Sequence, residues 1–212
     1  LLHEVSVDPA STLVLRHRPR EPELRRVLPW LAAEQPAVYN AYQQWQTPKV
    51  EKQLCKASHL VSLIGSSPAR ALFVGIYEVR GNRLTSRADR RKVKSFRELG
   101  KYGLVEQGGE SRQFDLRLTD HFQKWSGKLV LRWPPPEIAW SRWAKNNEFG
   151  VHSIFEESAL TPEMPDWREL VFTWNDLHVI PTNWRSALSE WRGVYFILDV
   201  SDGQGYVGSA YG

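Results

Sequence analysis

Cysteine and methionine occur once each in the 212 residues. A single thiol, Cys55, excludes an internal disulfide framework and a cysteine-based zinc site, and fits a reducing cytoplasm. Its place between an apparent helix and an apparent strand predicts a small buried apolar residue. No run of ~18 apolar residues occurs, which excludes an ordinary membrane-spanning helix. The first residues, LLHEVSVDPASTLVLRHRPR, lack the basic start and apolar stretch of a secretory signal. His59, His121, His152 and His178 show no ligand spacing and the carboxylates are scattered, so the residues point to no metal site. Internal repeats and low-complexity tracts are also missing, and the length suits one large or two small domains.

Two residue types are plentiful. Ten tryptophans must contribute to a core, and each also offers a flat face on which a base can stack. The net charge of +4 is mild, but the cations are clustered. Residues 80–97, RGNRLTSRADRRKVKSFR, hold eight Lys or Arg against one Asp, and RHRPREPELRR (16–26) forms a second cluster. Such clusters either bind phosphates or keep a loop solvated.

Apolar residues at three- and four-residue steps predict helices over 22–35 and 36–46, with Pro36 and Pro48 as punctuation. SHLVSLI (58–64) and ALFVGIYEV (71–79) read as a hairpin around GSSPAR. The basic segment 80–97 reads as a loop. QFDLRLTD (113–120), GKLVLRW (127–133) and GVHSIFEE (150–157) read as strands, and 137–147 as one or two helical turns. Residues 165–181 look partly helical, and 182–191 helical with Thr182 as N-cap. The fold expected for 1–190 is α+β, with a few helices around a mixed or barrel-like sheet.

The last stretch, RGVYFILDVSDGQGYVGSAYG (192–212), places Gly193-Val194-Tyr195 and Tyr206-Val207-Gly208 on two strands around an Asp202-Gly203 turn. GVYFI and YVGSA resemble the two halves of the signature that opens the GIY-YIG nuclease domain, with Val in place of the middle Ile in each. The resemblance implies phosphodiester hydrolysis. Tyr195 would help activate the attacking water, Tyr206 would support it near the phosphate, and Gly208 would leave room for the DNA backbone. It further implies a Mg2+ ion, because a neutral phenol with a pKa of about 10 is a poor base. The family's arginine and metal-binding glutamate would lie after residue 212. Residues 191–212 are therefore expected to be only the start of that domain and inactive alone, behind a recognition domain over 1–190. The alternative for the tyrosines is cross-strand aromatic packing.

The strand order and residue character from about 55 to 180 resemble PUA-like domains of the EVE and YTH type, small mixed β-barrels with flanking helices that hold a modified base in an aromatic pocket. The resemblance implies a pocket in which Trp133, Trp140 and Trp143 offer faces, and Ser62, Ser66 and Ser67 offer edge contacts. Backbone near Gly65 would approach the base closely. Arg87, Arg90, Arg91, Lys92 and Lys94 would hold the DNA backbone. Packing, turn chemistry and solubility are the competing roles for the same residues. Together the two resemblances imply the DNA-recognition part of a modification-dependent restriction endonuclease, cytoplasmic and without membrane contact, reading a modified cytosine in duplex DNA. Double-strand cleavage suits a homodimer. A PUA-like RNA-binding module, or a protein-interaction domain with no nucleic-acid ligand, are the alternatives.

Overall fold

Three prolines open three successive helices: α1 (Pro22–Glu34), α2 (Pro36–Gln44) and α3 (Pro48–Leu54). At a helix's first position a proline gives up only an N–H that has no intrahelical partner. The computed structural model describes residues 2–106 and 108–211, so Gly212 of the closing stretch lies outside the described residues. The chain divides into two compact units, 1–162 and 163–212.

In the first unit the helices connect two parallel strands, β1 (Thr12–His17) and β2 (His59–Ser67), in a βαβ crossover. The sheet continues antiparallel through β3 (Arg70–Thr85). That strand pairs along one stretch with β4 (Ser111–Leu118) and along another with β5 (Leu129–Arg132). β6 (Ser141–Trp143) adds to β1, and β7 (Val151–Ile154) adds to β5. The result is a curled, mixed, seven-stranded sheet that forms a half-barrel, an α+β architecture. Register shifts at Ser62/Leu63, Val79/Gly81 and Val130/Leu131 accompany the curl, since a bulge bends its strand and increases local twist.

Side chains alternate between two cores. Leu13 and Leu15 of β1 join Leu60, Phe114 and Leu116 under Val50 and Leu54 of α3. Val14 joins Val61, Leu63, Phe73, Leu131 and Trp133 in the other cluster. Between β4 and β5 the carbonyls of β3 are met by a loop instead of a strand. The N–H and hydroxyl of Thr119 both donate to Ile76 O at 2.9 Å, Ser126 Oγ to Val74 O at 2.7 Å, and Gly127 N to Phe73 O at 2.8 Å.

Several expectations need correction. β1 is buried at every position, so it has no period-2 signal, and the sequence shows it only as the edge of a basic cluster. Within that cluster Arg16 and His17 are buried. β2 runs to Ser67, shortening the expected turn. Residues 80–97 are not a loop. β3 continues to Thr85, followed by α4 (Arg87–Lys92) and α5 (Lys94–Leu99). Ser86 and Asp89 form a capping box for α4: Ser86 Oγ accepts from Asp89 N, and Asp89 Oδ2 accepts from Ser86 N, both at 3.2 Å. Residues 137–147 carry one helical turn, of 3-10 type, and before it the strand β6, which was not expected. Cys55 ends α3 and is exposed, not buried.

The second unit contains 3-10 turns at Trp167–Glu169 and Asp176–His178, where helix was expected. α6 (Thr182–Ser189) follows, with Pro181 and not Thr182 at the cap position. The unit ends in an antiparallel hairpin, β8 (Arg192–Leu198) with β9 (Gly205–Tyr211), which turns through Gly203 at φ 74°. A positive φ of this kind suits glycine, as the Asp-Gly pair predicts. No helix among the described residues is long and apolar enough to cross a membrane.

Candidate nucleic-acid interface

The basic segment is organised around one carboxylate. α4 places Arg87 and Arg91 one turn apart, and both donate Nε to Glu106 Oε2, at 2.8 and 3.1 Å. Arg90 Nε lies 3.5 Å from Glu106 Oε1. Burial pushes the Glu106 carboxyl up, but the hydrogen bonds and charges of Arg87 and Arg91 outweigh it and hold the group below its ordinary value. Arg90 differs from its neighbours. It is buried, donating to Ser111 Oγ at 2.7 Å and Gly109 O at 3.0 Å, and so ties α4 to the approach of β4. Lys92 pairs with Asp89 at 3.1 Å, and Lys94 is exposed at the start of α5. The hydrogen bonds from Ser86 and then Lys92 bring the Asp89 carboxyl down to about 2. Of the five cations expected to hold DNA, Arg87, Arg91 and Lys92 are exposed but paired with carboxylates, Lys94 is exposed, and Arg90 serves the fold.

Two further arginines, Arg83 of the basic segment and Arg112, were not singled out in the sequence. Arg83 donates to Gln113 Oε1 through Nε at 3.0 Å and Nη2 at 2.8 Å, directly across β3 and β4. Arg112 donates to Asn82 Oδ1 at 2.8 Å. A neutral amide orients a guanidinium without cancelling its charge, so both remain attractive to anions. Hairpin pairing with an amide opposite would have been the sequence signal, but it needs the register.

The residues expected to form a base pocket are divided between the two cores. Trp133 is 2 % exposed, donates Nε1 to Ala139 O at 3.0 Å and packs on Phe149. The guanidinium carbons of Arg16 and Arg142 lie 5.9 and 5.5 Å from its ring centroid. Trp140 and Trp143 pack against the opposite cluster and are only half-buried, at the β6 edge of the sheet. Ser62 is fully buried and shares a 2.7 Å hydrogen bond with the Tyr39 hydroxyl. Gly65 lies under Arg16, whose Nε would be 3.1 Å from a Cβ at that position. Arg16 itself pairs with Glu137 at 3.3 Å and donates to Ser67 O at 2.8 Å. Ser66 is exposed. Ser62 and Trp133 thus lie in the packed interior, and Trp140 and Trp143 are the expected pocket aromatics with faces near the surface.

Beside Ser62 lies a buried polar network that the sequence did not reveal. His17 Nε2 donates to Gln43 Oε1 at 3.2 Å, and its ring meets Tyr39 and Tyr42 edge to face. Burial lowers the His17 pKa to about 4 against the weaker, opposing effect of Gln43. Burial also raises Tyr77 to about 12 and pushes Tyr39 up. These groups are held neutral at pH 7, as a packed interior requires.

On the second unit's hairpin, Tyr195 is paired with Gly208 and Ile197 with Tyr206. Tyr195, Tyr206 and Gly208 therefore share one face. The two phenol rings are 6.3 Å apart, and their residues are 45 % and 60 % exposed. A Cβ at Gly208 would overlap Cζ and Oη of Tyr195. Gly208 therefore makes room for the ring of its own cross-strand partner, a role additional to the one expected from the nuclease resemblance. Among the described residues no group of three His, Cys, Asp or Glu side chains is placed to hold a metal ion. The Mg2+ that the resemblance implies has no ligand set there.

Compared with family models, curated proteins and solved structures, the chain matches none of them.

Proposed function

We propose that the chain is the DNA-recognition part of a modification-dependent restriction endonuclease, with the hairpin at 192–211 belonging to a GIY-YIG nuclease domain and the half-barrel acting as a PUA-like reader of a modified base. The observation that carries the reading is the hairpin. Tyr195 and Tyr206 stand on adjacent strands, on one exposed face, with Gly208 opposite Tyr195. Phenols at that spacing can hydrogen-bond a phosphate and its attacking water. A phenol needs help to take a proton at neutral pH, and in the family that help comes from Mg2+.

The half-barrel supplies a cationic flank and aromatic faces. Arg83, Arg87, Arg91 and Lys94 are exposed cations for phosphates, Arg87 and Arg91 sharing their charge with Glu106, and Trp140 and Trp143 are the surfaces for stacking an extruded base. Extrusion costs a few kcal/mol, which stacking and edge hydrogen bonds must return. Phosphate contacts would position the duplex and the aromatic contacts would select the modification.

The test is binding of the chain, at fixed salt, to three probes: duplex DNA with one 5-substituted cytosine, the same duplex unmodified, and a structured RNA hairpin. The modified duplex is expected to bind tightest, and Trp140→Ala is expected to remove its advantage while leaving unmodified binding unchanged. Tightest binding to RNA would overturn the DNA reading for the RNA-module alternative, and no binding to any probe would remove both and favour a protein-interaction role.

A further inference from the structure

Arg87 and Arg91 offer two guanidiniums converging on one point, and that point is already filled by an internal carboxylate. Both Nε atoms donate to the same oxygen of Glu106, at 2.8 and 3.1 Å. A phosphate oxygen accepts the same pair of donors at the same distances. The side chains of Arg87 and Arg91 are 54 % and 60 % exposed, so their guanidiniums can be reached from solvent without unfolding anything. Beneath them, Arg90 is fixed through Ser111 Oγ and Gly109 O, which holds α4 in place whichever anion sits above it. Three arginines around one glutamate also leave an excess of two positive charges, so the cluster still attracts a polyanion while Glu106 is bound.

We propose that Glu106 is an exchangeable latch: its carboxylate holds the place of a DNA phosphate between Arg87 and Arg91 and gives it up when duplex DNA binds. The proposal rests on the DNA-binding reading above. On the exposed Arg87 and Arg91 side the ion pairs contribute little net stability and are weakened by salt, whereas Glu106, 14 % exposed, regains hydration only by turning outward as it leaves. A phosphate adds the chain's other cations to the interaction, which Glu106 cannot. The latch has two consequences. It keeps the two arginines in a binding-ready geometry, and it sets a threshold that isolated anions and weakly charged surfaces do not pass.

The experiment compares the wild-type chain with Glu106→Gln and with the double variant Arg87→Gln/Arg91→Gln. Fluorescence anisotropy of a labelled 20-base-pair duplex is measured across a salt series, and tripolyphosphate serves as a second probe by calorimetry. Glu106→Gln is expected to tighten duplex binding by about 3–10-fold and to steepen the salt dependence by about one phosphate contact. The double variant is expected to weaken binding, and adding Glu106→Gln to it to have no further effect. Should Glu106→Gln lower the thermal midpoint, Glu106→Asp, with its shorter reach, is expected to show the same gain in smaller measure. Unchanged or weaker duplex binding by a folded Glu106→Gln protein would overturn the latch. If no form binds the duplex, a gain for tripolyphosphate alone keeps the latch and removes DNA as its occupant. A gain for neither probe overturns it.

Discussion

The two units treat their aromatic and aliphatic residues in opposite ways. In residues 1–162, Tyr39 and the apolar side chains of α1 and α2 such as Leu24, Leu28 and Val38 are buried, and Phe114 and Trp133 are sealed in two clusters, one on each face of a curled sheet. In residues 163–212, Trp167, Trp174, Phe196, Ile197 and Val207 are all exposed, and a hairpin of two strands carries apolar side chains on both faces. An isolated two-stranded hairpin is marginal in water, and apolar surface of this extent marks contact sites. The first unit is organised by what it excludes from water and the second by what it presents. Mutation of the sealed residues should therefore act on stability, and mutation of exposed residues in either unit on contacts.

The largest effect in the sealed first unit falls at Phe114. Phe114→Ala is expected to cost about 3–5 kcal/mol in denaturant unfolding, through lost burial and the cavity left behind. A cost below about 1 kcal/mol would mean that the core is looser than its packing indicates.

His17 makes the stability of the first unit depend on pH. Its folded-state pKa of about 4 lies below the ordinary 6.5, so the unfolded chain binds a proton more readily than the folded one. Its contribution is fully present above about pH 6.5 and is lost as pH falls toward 4. The total is about 3 kcal/mol, from roughly 1.4 kcal/mol per pKa unit. Unfolding free energies measured between pH 4 and 7.5 should show this slope, and His17→Gln should flatten it. An unchanged slope in that variant would assign the pH response to other groups.

Smaller effects follow. Ser86→Ala removes the capping box of α4 and is expected to cost about 1 kcal/mol, read as faster amide exchange over 87–92. Ile197→Ala, on the exposed hairpin, is expected to change global stability by less than about 0.5 kcal/mol. A larger loss there would show that the hairpin face is buried in solution.

How much of this was legible in the sequence depended on whether a residue's role was local. Helices α1 and α2 announced themselves through their apolar steps, and Pro48, read as punctuation, opens α3. Strand β4 announced itself through the alternation of Phe114 and Leu116, both buried as expected, while Leu118 on the same alternation is exposed. The tyrosine pair fell on two strands because the Asp202-Gly203 turn sets the register. β1 was hidden because burial on both faces erases alternation. α4 was hidden because charge dominated the appearance of 80–97, although Ser86 and Asp89 carry a capping-box spacing that could have revealed it. The fate of Trp133, and the convergence of three arginines on Glu106, depend on contacts between distant segments, which no local pattern encodes.

The loop that seals β3 between its two partner strands has a consequence for how the chain can be altered. Thr119, Ser126 and Gly127 occupy the place of a missing strand segment by meeting carbonyls in the middle of the sheet. By composition, 119–128 looks like a convenient site for an inserted tag or a circular-permutation break. Structurally it behaves as sheet: lengthening or cutting it would uncover a hydrogen-bonding edge at the centre of the unit and invite strand pairing between molecules. The tip at Pro68–Ala69, although exposed, is tied in the same way, since Ala69 O accepts from Trp133 N at 2.8 Å.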